Sequence, residues 1–135
     1  MRIGDVYRLY CQTTTPPKNK YLILAANRDY PVFLFINSNI SRFIERQNLS
    51  HTQLPILLAD HGFLRHDSWV CTHLPCGEFP PDYFPEHQPY RHGVITDQLL
   101  QEILEAVNSS RTIRRKTIIW ISEDIQSELA IRTGA

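Results

Sequence analysis

Short apolar runs separated by turn residues fill the first seventy residues of the chain, a pattern typical of β-strands. In the first run, Val6, Arg8 and Tyr10 fall on one side of the predicted strand, and the residues between them fall on the other. The polar residues 12–19 predict a mobile loop, and residues 28–31 predict a tight turn that joins two strands as an antiparallel hairpin. Strands are predicted at residues 3–11, 20–26, 32–37, 54–58 and 68–72.

Helical spacing of apolar residues occurs in three other stretches. Residues 38–47 predict one or two helical turns. Thr96 and Asp97 can cap a helix that runs to about Val107, since its apolar residues form one stripe and its polar residues face outward. The tail around residues 113–121 fits either a strand or a second helix, and we favour the helix.

The composition changes between residues 74 and 92, where five prolines and four aromatic residues are concentrated. Proline removes a donor from the hydrogen-bond ladder, so this segment cannot form a central strand. We expect an ordered surface segment that packs its aromatic side chains, Phe79, Tyr83, Phe84 and Tyr90, against the sheet. The functional alternative is a proline-rich ligand for another domain.

A run of strands followed by helices indicates an α+β fold, mostly β, built around a compact curled sheet or small barrel. We expect about five to seven antiparallel strands and one or two C-terminal helices. At 135 residues the chain has the length of a single domain. Within it, residues 1–74 would form the barrel core, residues 75–93 the surface segment and residues 94–135 the helical part.

Composition narrows the classes of function. Apolar residues make up 42% of the chain and charged residues 21%, which excludes a disordered tail, a collagen-like fibre and a coiled coil. No apolar run is long enough to span a bilayer and no secretory signal is evident, so we expect a cytoplasmic protein with no membrane partner. The odd cysteine count, 3 in all, fits a reducing compartment.

The net charge is zero, yet the two halves of the chain differ. Residues 1–66 carry eight Lys or Arg and four Asp or Glu, whereas residues 67–135 carry six and ten. This excludes a field that is basic over the whole protein, which is the usual mark of a nonspecific nucleic-acid binder. Any contact with nucleic acid must be local, and a basic face can form on the N-terminal half.

Cysteine and histidine residues suggest two kinds of chemistry. Cys71, His73 and Cys76, together with Cys11, are potential zinc ligands, although their spacing is not that of a standard knuckle. Cys71 beside His73 or His66 is a potential nucleophilic pair, but nothing in the sequence activates the thiol. Core cysteines are the more ordinary interpretation, and we expect neither a metal nor another cofactor.

His66, Asp67 and Ser68 follow one another on an extended segment. Neighbours on a strand alternate sides, so the three side chains cannot converge as a serine-hydrolase triad. The favoured interpretation is a turn in which Asp67 caps nearby backbone amides. The alternative is that His66 contacts a phosphate or acts as an acid or base. Composition and spacing alone therefore assign no chemistry to the chain.

Four segments, residues 4–9 (GDVYRL), 20–25 (KYLILA), 32–38 (VFLFINS) and 62–70 (GFLRHDSWV), resemble in their order and spacing the MazF/PemK-like toxins of type II toxin–antitoxin systems. The similarity covers roughly residues 3–74. It implies an SH3-like barrel with a C-terminal helix, usually assembled as a homodimer. It also implies a metal-independent endoribonuclease that cuts single-stranded RNA by attack of the 2′-OH on the adjacent phosphate, held in check by a cognate antitoxin protein.

The resemblance also implies site residues. Lys20 stands where the family usually has arginine; it keeps the charge, loses the bidentate fork, and would act as general acid and phosphate ligand. Asn37 and Ser38 would stabilise the phosphorane, and His66, from its place beside the Asp-Ser pair, is a candidate proton carrier. The expected RNA-binding residues are Lys18, Thr14, Arg42, Arg65, Asp67 and Ser68.

Two other functions are compatible with such a barrel, because small barrels host many functions. One is a binding module that has lost catalysis and holds a protein or a nucleic acid. Lysine at position 20, the neutral net charge and the proline-rich segment favour it. The other is a gyrase-directed toxin, which shares the barrel but does not cut RNA.

Overall fold

The structure is a computed structural model that describes residues 1–134. Its strands and helices follow the chain in a simple order, and within residues 1–134 every strand precedes the two long helices. The strands are β1 (Asp5–Cys11), β2 (Lys18–Asn27), β3 (Pro31–Asn37), β4 (Gln53–Ile56), β5 (Ser68–Cys71) and β6 (Arg91–Val94). The helices are α1 (Arg42–Arg46), α2 (Tyr83–His87), α3 (Asp97–Asn108) and α4 (Arg115–Thr133), with one 3-10 turn at Ser50–Thr52.

All six strands belong to one curled sheet in the order β4-β5-β3-β2-β1-β6, and every pairing is antiparallel. The sheet resembles half of a barrel, with β4 and β6 at its edges. The prediction of an α+β, mostly β chain is confirmed, and the strand number lies within the predicted range. Each of the five predicted strands is present, and β2 and β3 form the predicted hairpin.

The inner face of the sheet packs against α3 and α4. Val6, Ile23, Leu34 and Val70 alternate onto this face and are almost fully buried. The buried residues that meet them from the helices are Leu100, Ile103, Ile121 and Ile125. The helical interpretation of the tail is therefore confirmed, and no helix within residues 1–134 has the length and apolar character needed to cross a membrane.

The outer face of the sheet is covered in part by the proline-rich segment. Phe79 and Phe84 are buried against Phe33, with ring centroids 5.8 Å and 5.6 Å from its ring. Tyr83 packs at the border of the same cluster. The prediction that the aromatic side chains pack against the sheet is confirmed for these three residues and wrong for Tyr90, which is 77% exposed.

Two regular elements occur where the sequence predicted irregular chain. The proline-rich segment contains α2, and it ends in β6, which pairs with β1 alone at the edge of the sheet. The one or two helical turns predicted within residues 38–47 are confirmed as α1, which spans Arg42–Arg46. Its cap is Ser41, whose side chain accepts a hydrogen bond from the backbone N–H of Ile44 at 3.2 Å.

Candidate nucleic-acid interface

A groove opens where β2 extends beyond the end of β3. β1 pairs with β2 from Lys18 onward, whereas the pairing of β3 with β2 begins at Tyr21. The first residues of β2 therefore form a free edge inside the sheet. The groove has a volume of about 380 Å³. It is lined by Arg8, Lys18, Asn19, Lys20, Tyr21, Ile36, Ser38, Leu64, Arg65, His66 and Ser68.

The groove is strongly basic although the protein is neutral. Arg8, Lys18, Lys20 and Arg65 line it together with His66, and no Asp or Glu is among the lining residues. All of these cations come from residues 1–66, the half of the chain with the positive excess. A cleft lined by charges of one sign concentrates ligands of the opposite sign. We refer to it below as the basic groove.

Six of the residues expected from the sequence lie together in the basic groove: Lys18, Lys20, Ser38, Arg65, His66 and Ser68. Asn37 adjoins it, since its side-chain oxygen accepts a hydrogen bond from the Lys20 ammonium. Thr14, Arg42 and Asp67 do not line it. The Thr14 hydroxyl donates to the Cys11 carbonyl at 3.1 Å.

Asp67 acts as a backbone cap, as the favoured interpretation of the sequence expected. Its carboxylate accepts a hydrogen bond from the backbone N–H of Leu58 at 2.9 Å, which fixes the turn that leads into β5.

Arg42 is the first residue of α1 and is exposed. Neither Asn37 nor Ser38 caps α1, because Ser41 fills that role. Asn37 and Ser38 therefore have no helix-capping role.

Lys20, the third residue of β2, is half-buried, although lysine side chains are mostly exposed in proteins. Burial of the ammonium, followed by repulsion from Lys18, lowers the pKa of Lys20 below its ordinary value. Asn37 holds the amine in place from the neighbouring strand. A positioned lysine with a lowered pKa gives up its proton more easily than an exposed one, which suits general acid catalysis.

His66 is held by its backbone surroundings in one tautomer. Its Nδ1 lies 2.8 Å from the carbonyl oxygen of Asp67, and a carbonyl only accepts hydrogen bonds, so Nδ1 carries the proton of the neutral ring. The Ser68 hydroxyl donates to the carbonyl of His66 itself at 3.1 Å. The exposed imidazole therefore presents an unprotonated Nε2, which can accept a proton.

The strand register divides the expected site residues between the two faces of the sheet. Lys20 is paired with Leu9, which belongs to the outer cluster, whereas Ser68 precedes Val70 by two positions on the inner face. Site residues from the two faces come together only at the free edge of β2. A ligand that contacts both Lys20 and His66 must therefore cross this edge and cannot lie flat on one face.

Glu78 anchors the loop that precedes β2. Its carboxylate accepts hydrogen bonds from the backbone N–H of Gln12 at 2.9 Å and from the Thr13 hydroxyl at 2.8 Å. Partial burial opposes ionisation of this carboxyl, but these hydrogen bonds outweigh it and hold the pKa of Glu78 below its ordinary value. The proline-rich segment thus fixes the loop beside the basic groove.

Glu78→Gln is expected to loosen this loop at neutral pH. The pKa of Glu78 in the folded protein lies below its value of about 4.3 in the unfolded chain. The stabilisation from its hydrogen bonds is therefore present above about pH 4.3 and is lost as the pH falls through the pKa of the folded protein. Hydrogen exchange at Gln12 should be about 5-fold faster in the variant, since a partly exposed hydrogen bond to a charge contributes about 1 kcal/mol. The exposed Glu86→Gln is the matched control. Equal exchange in both variants at pH 7 would contradict the anchoring role.

The cysteines do not form the metal cluster that the sequence left open. Cys76 is buried and contacts Glu78, His73 contacts Thr112 at 3.1 Å, and Cys71 contacts Gln53. Within residues 1–134, no group of three or more His, Cys, Asp or Glu side chains is arranged to hold an ion. Burial raises the pKa of Cys76 to about 12 and that of Cys11 to about 11, so neither is a ready thiolate.

Arg8, Asn19 and Tyr21 line the groove but were missed in the sequence analysis. Arg8 offered a signal, because an arginine in the middle of a predicted strand marks a position that faces solvent. The register pairs Arg8 with Tyr21, and the Tyr21 ring packs 5.9 Å from the ring of Phe63. Arg8 and Phe63 thus hold Tyr21 in the wall of the groove.

Comparison with known proteins returns no match. No protein-family model matches the chain, and neither the curated proteins nor the solved structures contain a significant match to it.

Proposed function

We propose that the chain is an endoribonuclease that needs no metal and cleaves single-stranded RNA by attack of a ribose 2′-OH on the adjacent phosphate. The observation that carries the proposal is the basic groove, where four Lys or Arg side chains meet without a carboxylate in a protein of zero net charge. Such a local basic surface favours a polyanion over a neutral or cationic ligand.

The side chains of the groove can fill the roles that this reaction requires. His66 would take the proton of the 2′-OH at its unprotonated Nε2, and Lys20 would protonate the leaving 5′-oxygen. Ser38 and the Asn37 amide would donate hydrogen bonds to the phosphorane, whose charge the neighbouring cations would offset. The bond from phosphorus to the 5′-oxygen breaks, which leaves a cyclic phosphate and a 5′-OH end.

The resemblance of residues 4–9 and 62–70 to MazF/PemK-like toxins extends this proposal to the biological role. The chain would be the toxin of a toxin–antitoxin pair, with an SH3-like barrel, and it would act in the cytoplasm as a homodimer. Its antitoxin would cover the basic groove, since an unrestrained ribonuclease stops growth. An acidic segment is the chemistry that fits a groove with four cations and no carboxylate.

The proposal is tested by incubating the purified chain with single-stranded RNA in the presence of EDTA and mapping the new ends. Recurrent cuts that leave 5′-OH ends, absent on the same sequence as a duplex, would support it. Induced expression should in parallel arrest growth. Arrest with intact RNA would instead favour the gyrase-directed toxin.

A second candidate function, RNA binding without cleavage, is favoured by one observation. The Lys20 amine already donates to Asn37, and lysine lacks the fork with which arginine holds two phosphate oxygens. In this case the chain binds single-stranded RNA in the EDTA assay but leaves it intact. A shift of labelled RNA without new ends would favour this function.

A further inference from the structure

Trp69 lies on the outer face of the sheet, next to the end of the basic groove. Its strand neighbours Ser68 and Val70 are buried toward the inner face, so the indole points the other way. Across the sheet, Trp69 is paired with Asn37 of β3 on one side and with Pro55 of β4 on the other. The indole is half-buried.

The Trp69 indole is left outside both buried clusters of the protein. The inner cluster contains its neighbour Val70 but not Trp69, and the outer cluster is centred on Phe33 and covered by Phe79 and Phe84. Among the described residues, no aromatic ring pairs with that of Trp69. The indole is therefore not stacked on any aromatic side chain of the proline-rich segment.

Two polar groups connect Trp69 with the basic groove. Asn37, its direct partner in the register, accepts the hydrogen bond from Lys20, and Lys20 also lines the groove. Directly opposed residues in an antiparallel pair have Cβ atoms about 5 Å apart. Lys20, Asn37 and Trp69 therefore form one continuous patch, which we call the outer patch, on the far side of the free edge from His66.

We propose that the outer patch is a base-stacking subsite for single-stranded RNA. The RNA runs from the basic groove across the free edge of β2. Its phosphates lie along Lys18 and Lys20, and an unstacked base stacks on the Trp69 indole. The inference rests on the proposed function, because it takes RNA as the ligand of the groove. It adds Trp69, on the outer face of the sheet, as an RNA-contact residue.

The chemistry of the outer patch fits a nucleobase better than a protein side chain. Every base offers a π face, and aromatic stacking beside cations is how proteins bind single strands without strict sequence preference. The Asn37 side-chain oxygen is occupied by Lys20, but its NH₂ group has two hydrogens, so it can donate to a base acceptor as well as to the proposed phosphorane. A protein partner, such as the proposed antitoxin, would match the adjoining cations through an acidic segment, whose carboxylates do not stack on an indole.

Fluorescence tests the subsite directly, because the chain has only 2 tryptophans. Trp120 lies on α4, where its ring packs 5.4 Å from that of Tyr30 and the Lys116 ammonium lies 4.7 Å from its centre. Trp120→Phe leaves Trp69 as the sole reporter, and Trp69→Phe leaves Trp120 as the matched control. Titration with a short uridine-rich RNA is expected to quench the first variant and leave the second unchanged.

Affinity gives an independent readout. Trp69→Ala should bind labelled single-stranded RNA between about 5- and 100-fold more weakly, which corresponds to the loss of one stacked base, and its circular dichroism should match wild type. RNA binding without quenching of Trp69, and with unchanged affinity in Trp69→Ala, would overturn the subsite while the RNA-binding groove stands. Absence of any RNA binding by the wild type would overturn the proposed function and the subsite together.

Discussion

Lys20→Ala is expected to lower the rate of RNA cleavage by at least about 100-fold, because a positioned proton donor contributes about 10²–10⁴ in rate. The half-buried ammonium, held by Asn37 and with its pKa lowered by burial and by Lys18, is the proposed acid for the leaving oxygen. Removing it leaves the cations Arg8 and Arg65 in the groove, so RNA binding should fall less than the rate. Growth after induction and the mapping of 5′-OH ends are the measurements.

Lys116→Ala is the matched control, because it removes one lysine from α4 and is remote from the groove lining. It should cleave RNA like the wild type. The pH profile offers a second check: an acid must be protonated to act, so the wild-type rate should fall as the pH rises through the lowered pKa of Lys20. If Lys20→Ala cleaves at the wild-type rate, Lys20 is not the acid.

Phe84→Ala is expected to be the most destabilising single change in the proline-rich segment, with a loss of about 3–5 kcal/mol in the free energy of unfolding. Phe84 is only 7% exposed, and its ring lies 5.6 Å from that of Phe33 and 5.0 Å from that of Tyr7. Truncation removes the contacts that fix α2 to the outer face of the sheet. Urea unfolding, followed by circular dichroism, measures the loss.

Tyr90→Ala serves as the control for this change. The two aromatic residues lie in the same segment, but Tyr90 is 77% exposed, so its truncation should alter stability by no more than about 0.5 kcal/mol. The pair separates packing on the sheet from the general effect of losing an aromatic residue. Similar stability in the two variants would mean that the segment is not held by the outer cluster.

The fold could be predicted from the sequence wherever one short-range pattern decided the structure. The alternation around Val6 and the stripe of α3 each follow from burial on one face, and both elements are present. β6 could not be predicted, because Arg91–Val94 carries no strand pattern and is ordered by its pairing with β1, some eighty residues earlier. The exact start of α1 could not be predicted either, because Ser38 and Ser41 are both possible caps and only the fold shows that Ser41 fills this role.

The candidate site could be predicted only in part, for a related reason. The resemblance to a toxin family drew attention to Lys20, Asn37 and Ser38, but it does not determine which side chains share a face. That depends on the register of β2 against β1 and β3, which places Lys20 and Asn37 on one face and Ser68 on the other. Arg8 and Trp69 could not be assigned to the site from the sequence, because their places beside Tyr21 and Asn37 also depend on the strand register.

The position of α4 after the groove residues in the chain has a consequence for the timing of protein synthesis. Every residue that lines the basic groove precedes residue 69, whereas Ile121 and Ile125, which seal the inner face of the sheet, are made more than fifty residues later. At about 5–20 residues per second, several seconds separate the two events on the ribosome. An emerging chain therefore carries all of its groove residues before α4 can pack on the inner face of the sheet. The groove is complete only after α4 has been translated.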